Sequence, residues 1–342
     1  MNEYLSFFHT QLTDPERIPV ALMAMLVCAV AGMVTGPMHG NANPFYWVLM
    51  DGVFGGLGRR LDRTQRKPAD LMTRGFMLMV AALFVSYFVG QSSAVLADQY
   101  PLYGATQVVL LALTLTVGAP WFALLRVYGA LDKGQKVSPG AYVNIARTGR
   151  TDLSRSDDYG ITRVTMAMVA RCFDKGLVAP IVFFLILGLP GAYIYASLAF
   201  FAWRFGKDGY SKGFGTVSMG LEKLLGWVPM TISGSLMAAA GLFTPTGGMT
   251  RALKGLARKD GAPYNEGGLP VTAMAYALDV SLGGPVTDLD GSALARKWVG
   301  PEGATARLEA GHLRRALYIS MMAHLLLVAS LLGAMVWAGR LI

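Results

Sequence analysis

The sequence predicts an all-α integral membrane protein with about four to six transmembrane helices, joined by cytoplasmic amphipathic or re-entrant helices and loops. Three observations predict it. Of 342 residues, 54 % are apolar and 15 % charged, where a soluble domain carries about a quarter charged residues. The apolar residues gather into long uncharged runs, and the basic residues crowd into a few connections between them. The chain reads as one membrane domain over residues 1–342, with cytoplasmic loop and helix segments at 126–175 and 244–315. Disordered, collagen-like and disulfide-scaffold classes are excluded. The net charge of +9 belongs to the membrane-flanking loops and not to a nucleic-acid surface.

Six stretches lack Asp, Glu, Lys and Arg: Ile18 to Met50, Gly75 to Ala97, Gln99 to Leu125, Gly176 to Trp203, Leu224 to Thr250 and Ala316 to Gly339. Each reaches the roughly 20 residues that cross about 30 Å of hydrocarbon. Within them, Ile18 to Gly36, Phe76 to Gly90, Val108 to Leu125 and Tyr318 to Ala338 read as spans. The run from Leu177 to Phe205 is interrupted at Gly188-Leu189-Pro190-Gly191, which fits one kinked helix or two half-helices dipping into the membrane. Val228 to Phe243 is short for a crossing.

Basic connections stay cytoplasmic. Six Lys or Arg lie between Met38 and Arg74, none between Gln91 and Ala105, nine from Arg126 to Lys175 and nine from Arg251 to Arg315. The three basic segments are therefore expected inside, with the N-terminus and the Gln91 to Ala105 loop on the far side. Arg204 to Lys223 carries four and is ambiguous. Glu3, Asp14 and Glu16 precede Arg17, unlike the basic start of a signal peptide, so the first span is expected to be retained.

Cys28 lies in the first span and Cys172 in a cytoplasmic segment, so they do not pair. His9, His39, His312 and His324 are too scattered for a ligand cluster, and no metal site is expected. Three segments carry the polar chemistry. In the first, Ile161, Val164, Thr165, Met168 and Cys172 fall on one helical face, with Arg163, Arg171 and Lys175 around the others and Asp158 placed to help cap the helix. This fits a helix on the membrane surface or a basic lining for a phosphorylated ligand. The second, "FGKDGYSKGFG", offers glycines with Lys207 and Lys212, but no phosphate-loop or dinucleotide pattern occurs in the chain, and a flexible connection is the simpler reading. The third holds a short apolar helix from Val271 to Leu278 between turns; Asp288 and Asp290 miss the calcium-loop spacing.

In order along the chain, "NPFYWVLMDGVFGGLGRRLDR", "GLVAPIVFFLILGLPGAYIYASL", "FGTVSMGLEKLLGWVP" and "GGLPVTAMAYALDVSLGGP" resemble the CobD/CbiB family. The resemblance runs from about His39 to Arg315; Val178-Ala179-Pro180, the Gly188 to Gly191 break, Ala273-Met274-Ala275 and Leu282-Gly283-Gly284-Pro285 are its most specific pieces. It implies a membrane protein of cobamide (vitamin B12) assembly that attaches aminopropanol, or its phosphate, to adenosylcobyric acid through an amide bond, with ATP and Mg²⁺. The departures bear on activity. The family's G-R-D-T reads Gly149-Arg150-Thr151-Asp152, and its E-S-x-A-E-N-x-x-D-G reads Ala167 to Gly176, with Arg171 and Lys175 at acidic positions and Asp174 beside one. Its N-T-x-D-S-M-x-G reads Ala199 to Gly206 with Ala202 at the aspartate, and Val271 replaces the glutamate of P-N-A-G-x-P-E, with Asn265 displaced by one.

Losing these carboxylates argues against Mg-ATP chemistry by the family's route and for degenerate or lost catalysis. The stretch Ala199 to Trp203 and the Trp227-Val228-Pro229 turn resemble the AmpE branch, thought to be sensory, so a non-enzymatic sensor or scaffold is the alternative. A transporter would carry ionisable groups within its spans, and only His324 does so. The expected ligand is an anionic small molecule or corrinoid met at the cytoplasmic face. Its expected contacts are Arg150, Thr151, Asp152, Arg171, Asp174, Lys175, Lys207, Lys212, Asn265, Gly283, Gly284 and Asp288. Membrane lipids and other cobamide-pathway membrane proteins are the expected partners.

Overall fold

Long uncharged runs fold as helices because hydrocarbon offers the backbone no other hydrogen-bond partner. The computed structural model describes residues 16–63, 66–206, 213–258, 260–288, 291 and 293–339. It is an almost wholly helical membrane protein. Among the described residues, four helical stretches are apolar enough, by length and composition, to cross a membrane: Arg17–Thr35, Pro68–Gln99, Asp158–Phe205 and Ala310–Trp337.

Helix α1 (Arg17–Thr35) is followed by α2 (Phe45–Met50), which passes through a π turn at Asp51–Gly55 into α3 (Gly56–Leu61). Helix α4 (Pro68–Gln99) starts with Pro at its first turn, and Asp70 pairs with Arg74 at 2.9 Å. It extends the expected Phe76 to Gly90 span at both ends.

The expected span Val108 to Leu125 is not one helix. It is split into α5 (Ala105–Ala112) and α6 (Gly118–Asp132). The break is held by bonds to other elements: Tyr46 N donates to Leu113 O at 2.8 Å, Thr116 N to Gly176 O at 2.8 Å, and Thr116 Oγ1 to Ala42 O at 2.8 Å. These replace the helical bonds given up, so an apolar run alone does not report the interruption. Beyond it, α6 crosses α1 in backbone contact. A Cβ on Gly32 would stand 2.4 Å from Ala119 N, and one on Gly118 would stand 2.2 Å from Ala29 O. Small residues at such crossings are how helices associate where lipid removes the hydrophobic drive.

Helix α7 (Pro139–Gly149) leads to α8 (Asp158–Phe173), a π turn at Asp174–Val178 and α9 (Ala179–Phe205). Asp157, not Asp158, caps α8, accepting from Gly160 N at 2.7 Å; Asp158 instead accepts from Val137 N at 3.2 Å. Helix α8 is not a surface helix. Ile161, Thr162, Val164, Thr165, Met166, Met168, Val169, Ala170, Cys172 and Phe173 are all buried, and its arginines reach carbonyls: Arg163 bonds Ala306 O and Arg171 bonds Thr148 O.

Helix α9 reverses at Gly188, whose φ of 69° and ψ of −160° are open to glycine but costly for an L side chain. Phe183 and Tyr195 stack with ring centroids 4.6 Å apart. Twelve residues would separate them by about 18 Å along a straight helix. The run therefore forms a hairpin of two legs, the second of the alternatives its sequence offers. Arg17 Nη1 donates to Leu185 O at 3.0 Å at the tip. A Cβ on Gly90 would stand 2.5 Å from Pro190 Cα, so the returning leg lies directly on α4.

The remaining elements are α10 (Thr216–Ala240), α11 (Met249–Leu256), α12 (Gly268–Leu278) and α13 (Ala310–Gly339). Val228 to Phe243, short by sequence, is mostly the C-terminal part of α10. Among the described residues, three short strands, absent from the expectation, form an antiparallel sheet in the order β1-β2-β3: β1 (Thr151–Asp152), β2 (Pro285–Asp288) and β3 (Ala293–Ala295). Thr151 pairs with Asp288 and Asp152 with Thr287, tying together the two segments expected to be separate loops.

Candidate functional site

The π turn between α8 and α9 places Asp174 and Lys175 at the mouth of the hairpin, opposite the first turns of α10. Lys175 Nζ lies 2.8 Å from Glu222 Oε1 and 3.1 Å from Asp174 Oδ2. It also bonds Tyr264 OH and sits 4.1 Å from the centre of that ring. Tyr195 OH donates to Glu222 Oε1 at 2.8 Å, Tyr264 OH to Glu222 O at 2.9 Å and Ser233 Oγ to Asp174 Oδ1 at 3.0 Å. All three charges are buried. One ammonium between two carboxylates, each supported by a hydroxyl, meets the condition under which buried charge survives.

This network forms the floor of a pocket of about 220 Å³. On one side stand Arg150, Arg171, Trp47 and Trp203; on the other, Tyr264, Asn265 and Glu266; the sheet contributes Asp288, Leu294 and Ala295, and Arg296 follows directly after β3. The Arg150 guanidinium lies 5.6 Å from the Trp203 ring centre, and Trp47 and Trp203 pack at 5.5 Å. The carbonyl of Thr148 holds this wall: it accepts from Arg171 Nη2 at 2.6 Å, Trp203 Nε1 at 2.9 Å and Asn43 Nδ2 at 3.3 Å. Burial, with Arg171 nearby, pulls the Arg296 guanidinium below its ordinary range, and burial raises the Glu266 carboxyl against the pull of Arg296. Four cations and three carboxylates thus face one small volume. Such a lining suits an anionic group that also carries hydrogen-bond donors.

Of the residues the sequence singles out, Arg150, Arg171, Lys175, Asn265 and Asp288 meet in this pocket, and Asp174 lies directly behind Lys175. Thr151 and Asp152 do not line it. Thr151 is buried in β1, while Asp152 faces outward and accepts from Ser154 N at 2.9 Å, which holds its carboxyl below the ordinary range. Gly283 and Gly284 also lie elsewhere: their positive φ lets the chain pass 2.1 Å from Lys297 O and 2.4 Å from the Trp298 ring, measured to an added Cβ. They serve packing and offer no phosphate cradle at the pocket. Lys207 and Lys212 lie outside the described residues.

Sequence reasoning missed Glu222, Tyr264 and Arg296. Glu222 had a signal: it is an acid beside Lys223 at the edge of the uncharged run from Leu224, on the face opposite the exposed Leu224 and Val228. The other two come from loops and carry none.

A bound Mg²⁺ needs several oxygen ligands free to coordinate. Among the described residues no group of three His, Cys, Asp or Glu side chains converges, and the Asp174 and Glu222 carboxylates are already engaged by Lys175. The described residues therefore do not fit the Mg-ATP site that the family resemblance implies. His324 lies apart from the pocket, with its Nδ1 2.7 Å from Ser320 O and its ring packed between Trp121 and Phe173.

The chain is 28 % identical over 238 residues to the cobalamin biosynthesis protein CobD of Sinorhizobium fredii, covering 66 % of this chain and 70 % of that protein. It is 31 % identical over 207 residues to the protein of the same name from Rhodobacter capsulatus, covering 58 % and 62 %. With a probable cobalamin biosynthesis protein CobD of Methanothermobacter thermautotrophicus it shares 27 % over 190 residues, 55 % and 62 % of the two chains. The match thus spans less than two thirds of the latter two relatives. No solved structure matches. The family model described as CobD/Cbib protein matches residues 17–320, which takes in the hairpin, the buried Lys175 network and the pocket above it, and the chain belongs to the CobD/CbiB family.

Proposed function

We propose that this protein serves cobamide assembly as a multi-pass protein of the inner membrane, with its basic segments cytoplasmic. In this reading it binds a phosphorylated corrinoid or another anionic intermediate and does not form the amide bond by the family's Mg-ATP route. Family membership supports the pathway. The observation that carries the rest is the pocket: Arg150, Arg171 and Arg296 face the ligand space, while the two deepest carboxylates are committed to Lys175. The Mg-ATP route needs several oxygen ligands converging on one metal ion, and no three acidic or other ligand side chains converge so among the described residues. Handing a corrinoid on to cobamide-pathway membrane proteins needs no metal site.

Complementation tests this. In a strain lacking its own aminopropanol-arm synthase, the protein should give no growth on cobyric acid, while cobinamide, which already carries the arm, rescues the strain. Purified protein should bind adenosylcobinamide phosphate, read by corrin absorbance, and R171Q should weaken binding at least about tenfold. Growth on cobyric acid overturns the loss of catalysis; absence of corrinoid binding overturns the role. A second reading, a sensor of the AmpE kind, draws on Trp203, which packs under Arg150 and closes one side of the pocket. It predicts a changed β-lactam response on deletion with cobamide synthesis intact.

A further inference from the structure

Away from the pocket, the turn after α10 and the start of α13 meet. Arg315 Nη1 donates to Thr246 Oγ1 at 2.8 Å. Arg315 is the last charged residue before the uncharged run Ala316 to Gly339, so this bond sets the turn at the mouth of a candidate span. At that level the chain leaves large apolar side chains uncovered: Leu242 is 67 % exposed, Phe243 54 % and Leu253 43 %. Helix α11 begins just beyond. Ala252 and Gly255 bury against α12, where a Cβ on Gly255 would stand 2.4 Å from the Tyr276 ring. This packing turns Arg251, Lys254 and Arg258 outward.

The charges here are not equally engaged. Arg251 lies 3.5 Å from Asp279, and Arg258 bonds Asp260 and lies 3.7 Å from Glu302. Exposed Lys254 and Arg314 have no acidic partner among the described residues. Uncovered apolar side chains at the level of the span's mouth, bordered by unmatched cations, complement a lipid whose head is anionic and whose chains run along the protein. An acidic protein partner would match the cations but would leave the exposed apolar pair unused.

We infer that Leu242, Phe243, Lys254 and Arg314 form a docking surface for an anionic phospholipid, with the headgroup at Lys254 and Arg314 and the acyl chains against Leu242 and Phe243. The surface stands apart from the pocket and does not depend on what the pocket binds.

The test titrates purified full-length protein, in neutral detergent, with fluorescent short-chain phosphatidylglycerol, and separately with phosphatidylcholine and inorganic phosphate. Phosphatidylglycerol should bind and the other two should not. The K254Q/R314Q variant should bind it roughly 25-fold more weakly, about fivefold per cation removed, while K254R/R314K retains wild-type binding and shows that the surface tolerates substitution. L242S/F243S should weaken phosphatidylglycerol binding as well. Equal binding of the two lipids, unchanged binding by K254Q/R314Q, or competition by inorganic phosphate would each overturn the proposal; the last assigns the cations to a free anion.

Discussion

Replacing Lys175 by methionine removes the single cation that two buried carboxylates share. At the observed 2.8 and 3.1 Å, each ion pair amounts to about 5–6 kcal/mol at an effective dielectric of 20, before desolvation is subtracted. Methionine fills nearly the same volume, so packing changes little and the loss is electrostatic. What remains is two uncompensated carboxylates held at 1 % and 5 % side-chain exposure. Removing one partner of a buried pair typically costs about 3–5 kcal/mol, and K175M should lie at the upper end. The contrasting variant is E222Q. It keeps the acceptor for Tyr195 and leaves Asp174 with Lys175 as a neutral pair, so it should cost about 1.5–3 kcal/mol, the worth of a hydrogen bond to a charged group. Equilibrium unfolding in mixed micelles, read by tryptophan fluorescence, measures both. A double-mutant cycle should show K175M costing less in the E222Q background than alone. If K175M falls within about 0.5 kcal/mol of wild type, or E222Q is the more damaging, the network is not the buried charge cluster described.

Three further outcomes are expected. Gly188→Ala places a Cβ in a backbone region open to glycine, so it should cost about 1–3 kcal/mol in the same unfolding assay; an unchanged value would mean that the helix does not reverse there. Burial raises Glu266 above its ordinary 4.5, so the neutral acid is favoured in the folded protein: its stability contribution is complete below 4.5 and is lost as pH rises through the raised value. Protonation also removes a negative charge from the pocket, so sulfate, whose own charge stays constant, should bind more tightly as pH falls through that raised value, and E266Q should flatten that profile. Topology reporters at Gln135 and Gly261 should register cytoplasmic and one at Asp98 on the far side; a far-side signal at Gln135 would invert the assignment.

Much of this was legible because charge is costly in hydrocarbon. Absent charge marks α1, α4 and α13, and the Gly188-Leu189-Pro190-Gly191 break marks the hairpin. Legibility failed where long-range bonds replace local ones. The Thr114 to Thr116 interruption is invisible because Ala42, Tyr46 and Gly176 supply its partners from other parts of the chain. Helix α8 has the periodicity of a surface helix, yet its arginines find carbonyls and both faces are buried. In the site, Arg171 and Lys175 look alike in the sequence, two basic residues four positions apart. Their opposite fates, one in the wall and one locked to carboxylates, depend on Glu222, some fifty residues on, which no pattern around Lys175 announces. The two-residue strand β1 is below any periodic signal, and its pairing with β2 exists only once the two segments meet.

The Thr148 carbonyl has two lone pairs and three donors, from the α1–α2 connection, from α8 and from the hairpin's returning leg. Three claimants on two lone pairs cannot all be fully bonded, so the strength of each contact depends on the other two. An anion that drew Arg171 toward the pocket would free density on that oxygen for Asn43 and Trp203 and so tighten the grip of the wall on the α1–α2 connection and on the hairpin. Occupancy of the pocket would thereby be felt outside it, through a single atom, without any helix having to move as a body.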